Sequence, residues 1–230
     1  MSKLNNAIFH KISIEEYNRK EHFYFYLNAI PCTYSLTVEL DIGSLLEKIS
    51  LYKKNNILIY KENIKFYPIM IYLISLSVNE HNEFKMCFRD GDLGYYNIVH
   101  PSYTIFNKES KTFSSIYTEY NEDFISFYKN YTEDINLYSN TTHLSPKEYS
   151  VDNVFNISIL PNVKFTSFNL NLEKGFKHLL PIFTMGKYYK NTENKTLIPI
   201  SIQVHHSVCD GYHIGLFIET LQNNINSFLL

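Results

Sequence analysis

The sequence predicts a single mixed-sheet α/β domain, and three observations carry that expectation. Helix-period and strand-period segments both run through the chain, without the strict βαβ alternation that builds a doubly wound parallel sheet. Hydrophobic residues make up 45% of the 230 residues and charged residues 19%, so the chain can bury a sizeable core. Only 7 glycines occur and none builds a Gly-rich phosphate loop, which sets aside dinucleotide-binding and Walker-type architectures. No linker-like stretch divides the chain, so residues 1–230 are expected to form one domain.

The elements follow from local pattern. Ser13-Ile14-Glu15-Glu16 has capping-box spacing and predicts a helix from residue 13 to about 28, ended by Pro31. Residues 33–41 alternate polar and apolar and predict a strand; 43–54 predict a helix. The lysine-rich stretch 55–65 predicts a surface excursion. Residues 66–80 predict an amphipathic helix with Ile69, Tyr72, Leu73 and Leu76 buried. Short strands are expected over 84–106, with turns at Asp90-Gly91 and His100-Pro101. Residues 120–138 form a helical pattern with an apolar stripe of Phe124, Phe127, Tyr128 and Tyr131, and 141–152 a loop. Strands are expected over 154–160 and 165–170, a short helix over 172–180, a β-rich run over 196–205, and a helix over 212–228.

Charge and cysteine content bound the partners. The formal net charge is −2 and the basic residues are scattered, which argues against a nucleic-acid-binding face. The longest apolar stretch, 68–78, is too short to span a bilayer, and the first ten residues carry no secretory pattern. Cys32, Cys87 and Cys209 are widely separated, with no zinc spacing, so the expectation is a cytoplasmic protein with free thiols and no bound metal. Only Arg19 and Arg89 represent arginine among 21 basic residues, which makes their positions informative.

The chemistry concentrates in Gln203-Val204-His205-His206-Ser207-Val208-Cys209-Asp210-Gly211-Tyr212. A β-rich run ends in two histidines, and Asp-Gly follows four residues after the second, at the mouth of a helix. A histidine at a strand end sits on a rigid element, a placement that suits a general base. Alternation along the strand points His205 to the opposite face from His206. Gly211 is expected to permit a tight turn. Either histidine taken alone reads first as a satisfied interior residue, and Asp210 lies beyond a turn from His206, which argues against a catalytic triad.

This segment resembles the HHxxxDG signature of CoA-dependent acyltransferases, and the chain is similar to the chloramphenicol acetyltransferase family well beyond that motif. Tyr17-Asn18-Arg19-Lys20-Glu21-His22-Phe23, Pro31-Cys32-Thr33-Tyr34, Lys65-Phe66-Tyr67-Pro68, Thr112-Phe113-Ser114-Ser115, Asn156-Ile157-Ser158, Ser167-Phe168-Asn169-Leu170-Asn171 and Phe183-Thr184-Met185-Gly186-Lys187-Tyr188 look like family blocks in family order. The resemblance runs from about residue 9 to 221. It implies a two-layer mixed-sheet sandwich of the CoA-dependent acyltransferase type, assembled as a homotrimer with active sites at subunit interfaces. It further implies a ternary-complex reaction in which acetyl-CoA is co-substrate and chloramphenicol the acceptor, with no metal. His206 is then the base, Ser158 the donor to the oxyanion, and Thr184 a residue holding a water near it. Arg19 and Asp210 match a buried structural ion pair. Phe25, Tyr26, Cys32, Phe113, Leu170 and Ile182 match the acceptor pocket; Tyr67, Lys187 and Tyr188 match the CoA site. The sequence departs from the family pattern at Ser145, where an aromatic pocket residue is expected, at Asn162, where tryptophan is usual, and in the longer 55–65 stretch. The same chemistry on another hydroxylated xenobiotic, or a drug-sequestering protein with little turnover, remains an open alternative. The acyltransferase core of a 2-oxoacid dehydrogenase complex is disfavoured, since no lipoyl domain or Ala/Pro-rich linker is present in the sequence.

Overall fold

The chain folds into a mixed seven-stranded sheet with α-helices packed against it in a computed structural model that describes residues 7–59, 62–148, 152–172 and 177–229. The strands are β1 (Phe9–Lys11), β2 (Thr33–Asp41), β3 (Leu58–Ile59), β4 (Glu62–Asn63), β5 (Met86–Arg89), β6 (Asp92–Tyr96), β7 (His100–Asn107), β8 (Thr112–Tyr117), β9 (Val154–Ile159), β10 (Ile182–Met185), β11 (Tyr189–Lys190) and β12 (Thr196–His205). The helices are α1 (Lys20–Tyr24), which runs directly into a π-helical turn (Phe25–Ala29), α2 (Gly43–Lys54), α3 (Phe66–Glu80), α4 (Phe124–Tyr138) and α5 (Gly211–Ser227). In the large sheet β9 lies parallel to β7 and β10, while β12 pairs antiparallel with β10, β2 and β11. A smaller antiparallel sheet, β1-β6-β5, turns at Asp90-Gly91, where both residues have positive φ, 53° and 89°.

The period-2 alternation of the strands gives the large sheet two unlike faces. Ile198, Ile200, Ile202 and Val204 of β12, Phe155 and Ile157 of β9, and Phe183 and Met185 of β10 are buried in the core. Phe183 stacks on Phe217 of α5, which stacks in turn on Phe84 with ring centroids 4.5 Å apart. The intervening positions are Ser102 and Thr104 on β7, Asn156 and Ser158 on β9, Thr184 on β10, and Ser201 and Gln203 on β12. One layer thus builds the core, and the other leaves a hydroxyl- and amide-rich face for chemistry.

Several expectations need correction. The Ser13 spacing makes only a turn, Glu16 N to Ser13 O at 3.1 Å, and the helix starts at Lys20. Ile12 N donates to Leu93 O at 2.9 Å and the Tyr17 hydroxyl reaches Met86 Sδ, so the small sheet holds this segment out of helical geometry. His100-Pro101 is no turn but the start of β7. Pairing with β8 begins only at Ser102, so the N–H that Pro101 lacks is not required there. Residues 165–170 form no strand; side chains of β12 hold them instead. The described part of 172–180 contains no helix, and 173–176 lie outside the described residues. Helix α3 is buried nearly all round, not along one stripe, and Leu76 is only partly buried. The 55–65 stretch carries the β3–β4 pair and sends Ile59 and Ile64 into the core.

Candidate active site

Strand β12 delivers His206 to the edge of the sheet. Its ladder with β2 runs to His205 opposite Thr33, and His206 N extends it with a bond to Cys32 O at 3.1 Å. The ring is half-buried. Nδ1 lies 3.1 Å from Cys209 O. A carbonyl only accepts, so Nδ1 is the nitrogen that donates, and the tautomer this selects has its lone pair at Nε2. The Tyr26 ring stacks on the imidazole at 3.8 Å and 23°, and Tyr34 meets it edge-on at 5.0 Å. An imidazole with one nitrogen tethered and two aromatic contacts is held in a way that suits a proton acceptor. His205 is fully buried on the other side, its Nδ1 2.7 Å from Ser207 Oγ.

Asp210 does not bond His206. It caps α5, Oδ1 accepting from Tyr212 N at 3.1 Å, and lies 2.8 Å from His213 Nδ1, while Oδ2 accepts from Arg19 Nη1. Burial pushes its carboxyl up, but the Arg19 hydrogen bond and charge, with His213, more than offset this and hold it at about 2. The link ties the N-terminal segment to the turn that carries His206. Gly211 is not required by backbone or space: its φ is not positive, and an added Cβ would meet nothing within 4 Å. The expectation of a glycine-dependent turn is therefore corrected.

Ser158, Phe113, Leu170 and Ile182 line one cavity of about 520 Å³, floored by the polar face of β7, β8 and β9. Ser158 sits opposite Thr184 in the parallel register, and Thr184 opposite Ser201. The Ser158 hydroxyl has no protein hydrogen-bond partner among the described residues, which leaves its donor for the cavity. Leu170 is brought there by side-chain bonds: Gln203 accepts from Leu170 N at 2.9 Å and donates to Leu170 O at 2.8 Å, and Ser201 Oγ donates to Phe168 O at 2.7 Å. Two polar residues in an otherwise Ile/Val-rich strand are the signal that could have revealed this clamp in the sequence.

His206 is not among the residues lining this cavity. Phe25, Tyr26 and Cys32 belong with His206, through the Phe25–Tyr26 ring contact at 5.1 Å and the Cys32 carbonyl. The chain therefore presents two clusters, one around His206 and one around Ser158. Phe25, Phe113 and Leu170 are 47%, 54% and 42% exposed. Tyr67 donates to Thr104 O, on the wall of the Ser158 cavity, at 3.4 Å, and Tyr188 meets the Phe66 ring edge-on at 5.7 Å. The Lys187 side chain is exposed, with its backbone N bonded to Val163 O at 2.8 Å. Ser145 and Asn162 are exposed. Two residues missed in the sequence stand at these clusters: Tyr34 beside His206, and His178 in the cavity wall, where no periodic pattern marks it. No group of three or more His, Cys, Asp or Glu suited to a metal occurs among the described residues, and no described helix is long and apolar enough to cross a membrane.

A chloramphenicol acetyltransferase family model matches residues 7–222. A chloramphenicol acetyltransferase of Clostridium butyricum is 49% identical over 221 residues, covering 96% of each chain. One of Clostridium perfringens is 47% identical with the same coverage. Among solved structures, a chloramphenicol acetyltransferase superposes with a TM-score of 0.81 at 23% identity, covering 95% of this chain and 100% of that one. The dihydrolipoamide acetyltransferase of Azotobacter vinelandii does so with a TM-score of 0.62 at 12% identity, covering 85% and 82%, a likeness of fold alone.

Proposed function

Because the chain belongs to the chloramphenicol acetyltransferase family, and so is an acyltransferase, we propose that it moves an acetyl group from acetyl-CoA to a hydroxyl of chloramphenicol in a ternary complex. The observation that carries this reading is the tether from His206 Nδ1 to Cys209 O, which leaves a lone pair at Nε2. Nε2 takes the proton of the acceptor hydroxyl, and the oxygen attacks the thioester carbonyl. The Ser158 hydroxyl donates to the oxyanion as the tetrahedral centre forms, with Thr184 holding a water nearby. Collapse breaks the C–S bond, and the proton on Nε2 passes to the departing thiolate. The base returns to its starting state, with no acyl-enzyme on the route.

The cavity lined by Phe113, Leu170 and Ile182 suits an acceptor that is mostly apolar with a few polar groups. The exposed Tyr188 ring and Lys187 ammonium, with Tyr67, suit an adenine and phosphates, so they are assigned to acetyl-CoA. Arg19 and Asp210 are assigned a structural role. The separation of the two clusters supports a homotrimer in which His206, Phe25, Tyr26 and Cys32 of one copy close the Ser158 cavity of the next. The exposed apolar residues at both clusters are then covered on assembly. The enzyme is proposed to work in the cytoplasm, where acetyl-CoA is supplied, and to need no metal.

The test is release of free CoA thiol from acetyl-CoA with chloramphenicol and a panel of other hydroxylated compounds. Thiol release matched by acetylated chloramphenicol is expected. Release with another compound alone would reassign the acceptor, and binding without release would make the chain a sequestering protein.

A further inference from the structure

We propose that His178 is a specificity-determining residue of the acceptor cavity, hydrogen-bonding an uncharged polar group of the acceptor other than the hydroxyl that is acetylated. This rests on the reading of that cavity as the acceptor site. His178 lines the cavity with Ser158 and Ile182, and it also borders a small void beside Thr33, Gln203 and His205. Two of the groups across that void are engaged elsewhere. The Gln203 amide uses both ends on Leu170, and His205 Nδ1 is met by Ser207. His178 Nε2 is buried and has no hydrogen-bond partner among the described residues. Buried polar atoms are nearly always satisfied, so an orphan at the edge of a binding cavity points to a ligand atom as its partner.

The chemistry of the ring limits what it recognises. Burial lowers the His178 pKa, so the imidazole is neutral near pH 7 and offers one N–H and one lone pair. A hydroxyl or amide fits such a group; a carboxylate gains no charge from it. Rotation about χ2 by half a turn exchanges the nitrogen and carbon edges, so the ring can serve the cavity from its present backbone position. His178 touches no reacting group in this account, so its effect falls on acceptor binding and not on the chemical step.

The experiment compares wild type, His178→Phe and His178→Gln in steady-state kinetics with chloramphenicol and acetyl-CoA, with thermal unfolding in parallel. Phenylalanine keeps the ring and removes the hydrogen bond; glutamine keeps the hydrogen bond. The expected result is a rise of about tenfold in acceptor KM for His178→Phe and less than about threefold for His178→Gln, with kcat and the acetyl-CoA KM nearly unchanged. An unchanged acceptor KM in a folded His178→Phe enzyme, or a defect in kcat, overturns the proposal. Should either variant fold poorly, imidazole 15N shifts of wild-type protein titrated with chloramphenicol decide: His178 resonances move if it bonds the acceptor, and unmoved resonances overturn the proposal. Wild-type turnover of chloramphenicol is measured first. Its absence overturns the acceptor reading and this inference with it, whereas intact turnover with an indifferent His178 overturns this inference alone.

Discussion

At the scale of single residues, groups that lie close in sequence have different surroundings. His206 has its proton fixed at Nδ1 by a backbone carbonyl, whereas its neighbour His205 is fully buried against Ser207. His206→Ala is therefore expected to lower kcat by about 10²–10⁴ without loss of fold, the usual worth of general-base catalysis. His205→Ala should act chiefly on stability. Steady-state kinetics and melting of both variants check this, and near wild-type turnover in His206→Ala would remove it as the base. In the proposed mechanism Ser158 stabilises charge that exists only at the tetrahedral stage, so Ser158→Ala should lose about 10²-fold in kcat and change either KM by less than about threefold. A defect wholly in KM would return Ser158 to an ordinary cavity-lining residue.

At the scale of elements, the turn between β12 and α5 is held by charge and the end of β10 by space. Asp210 joins Arg19, Tyr212 N and His213, and its carboxyl is held at about 2 against an ordinary 3.8. A lowered folded pKa stabilises above the unfolded value and is lost as pH falls through the folded one. Asp210→Asn is thus expected to destabilise by about 1.5–3 kcal/mol near neutral pH, the worth of a charge-assisted hydrogen bond. That is less than for a fully buried pair, because the Asp210 side chain is 34% exposed. The melting difference from wild type should shrink between pH 4 and 2; lost turnover with unchanged melting would make Asp210 catalytic instead. The glycines give a paired test. A Cβ at Gly186 would come within 2.8 Å of Pro199 and 2.9 Å of Phe165, whereas Gly211 has open space. Gly186→Ala should cost about 1–3 kcal/mol and disturb the adjoining Lys187 and Tyr188, while Gly211→Ala should be neutral or stabilising by up to about 1 kcal/mol. Equal melting temperatures for the two would refute the distinction.

The elements also show what a sequence can carry. Strand β2 and helices α2 and α3 are legible to the residue, because their periodicity, Gly43 and Pro68 mark both pattern and limits. The Ser13 capping spacing misleads because the small sheet outcompetes one local cap, and Pro101 misleads because the β8 ladder begins only at Ser102, so proline is tolerated there although β9 pairs it with Phe155. Residues 165–170 have strand composition, yet β10 already occupies the neighbouring place beside β12, so they drape over its polar face. The HHxxxDG segment makes the family and the placing of His206 at a strand end legible at once. His178 and Tyr34 were not, since their importance comes from surroundings built by distant residues.

At the scale of the whole molecule, the proposed homotrimer makes one working site of the two clusters by arranging copies around an axis. The central claim is therefore that His206 of one copy and Ser158 of another form one centre. The most direct measurement is complementation between two inactive variants, His206→Ala and Ser158→Ala, dissociated together, reassembled in equal amounts and assayed for chloramphenicol acetylation. Each shared site draws its two residues independently, so random reassembly should restore about a quarter of wild-type specific activity. The separately reassembled variants should stay inactive. A mixture no more active than its parents, although mixed oligomers have demonstrably formed, would place both residues in a single-chain site and contradict the account.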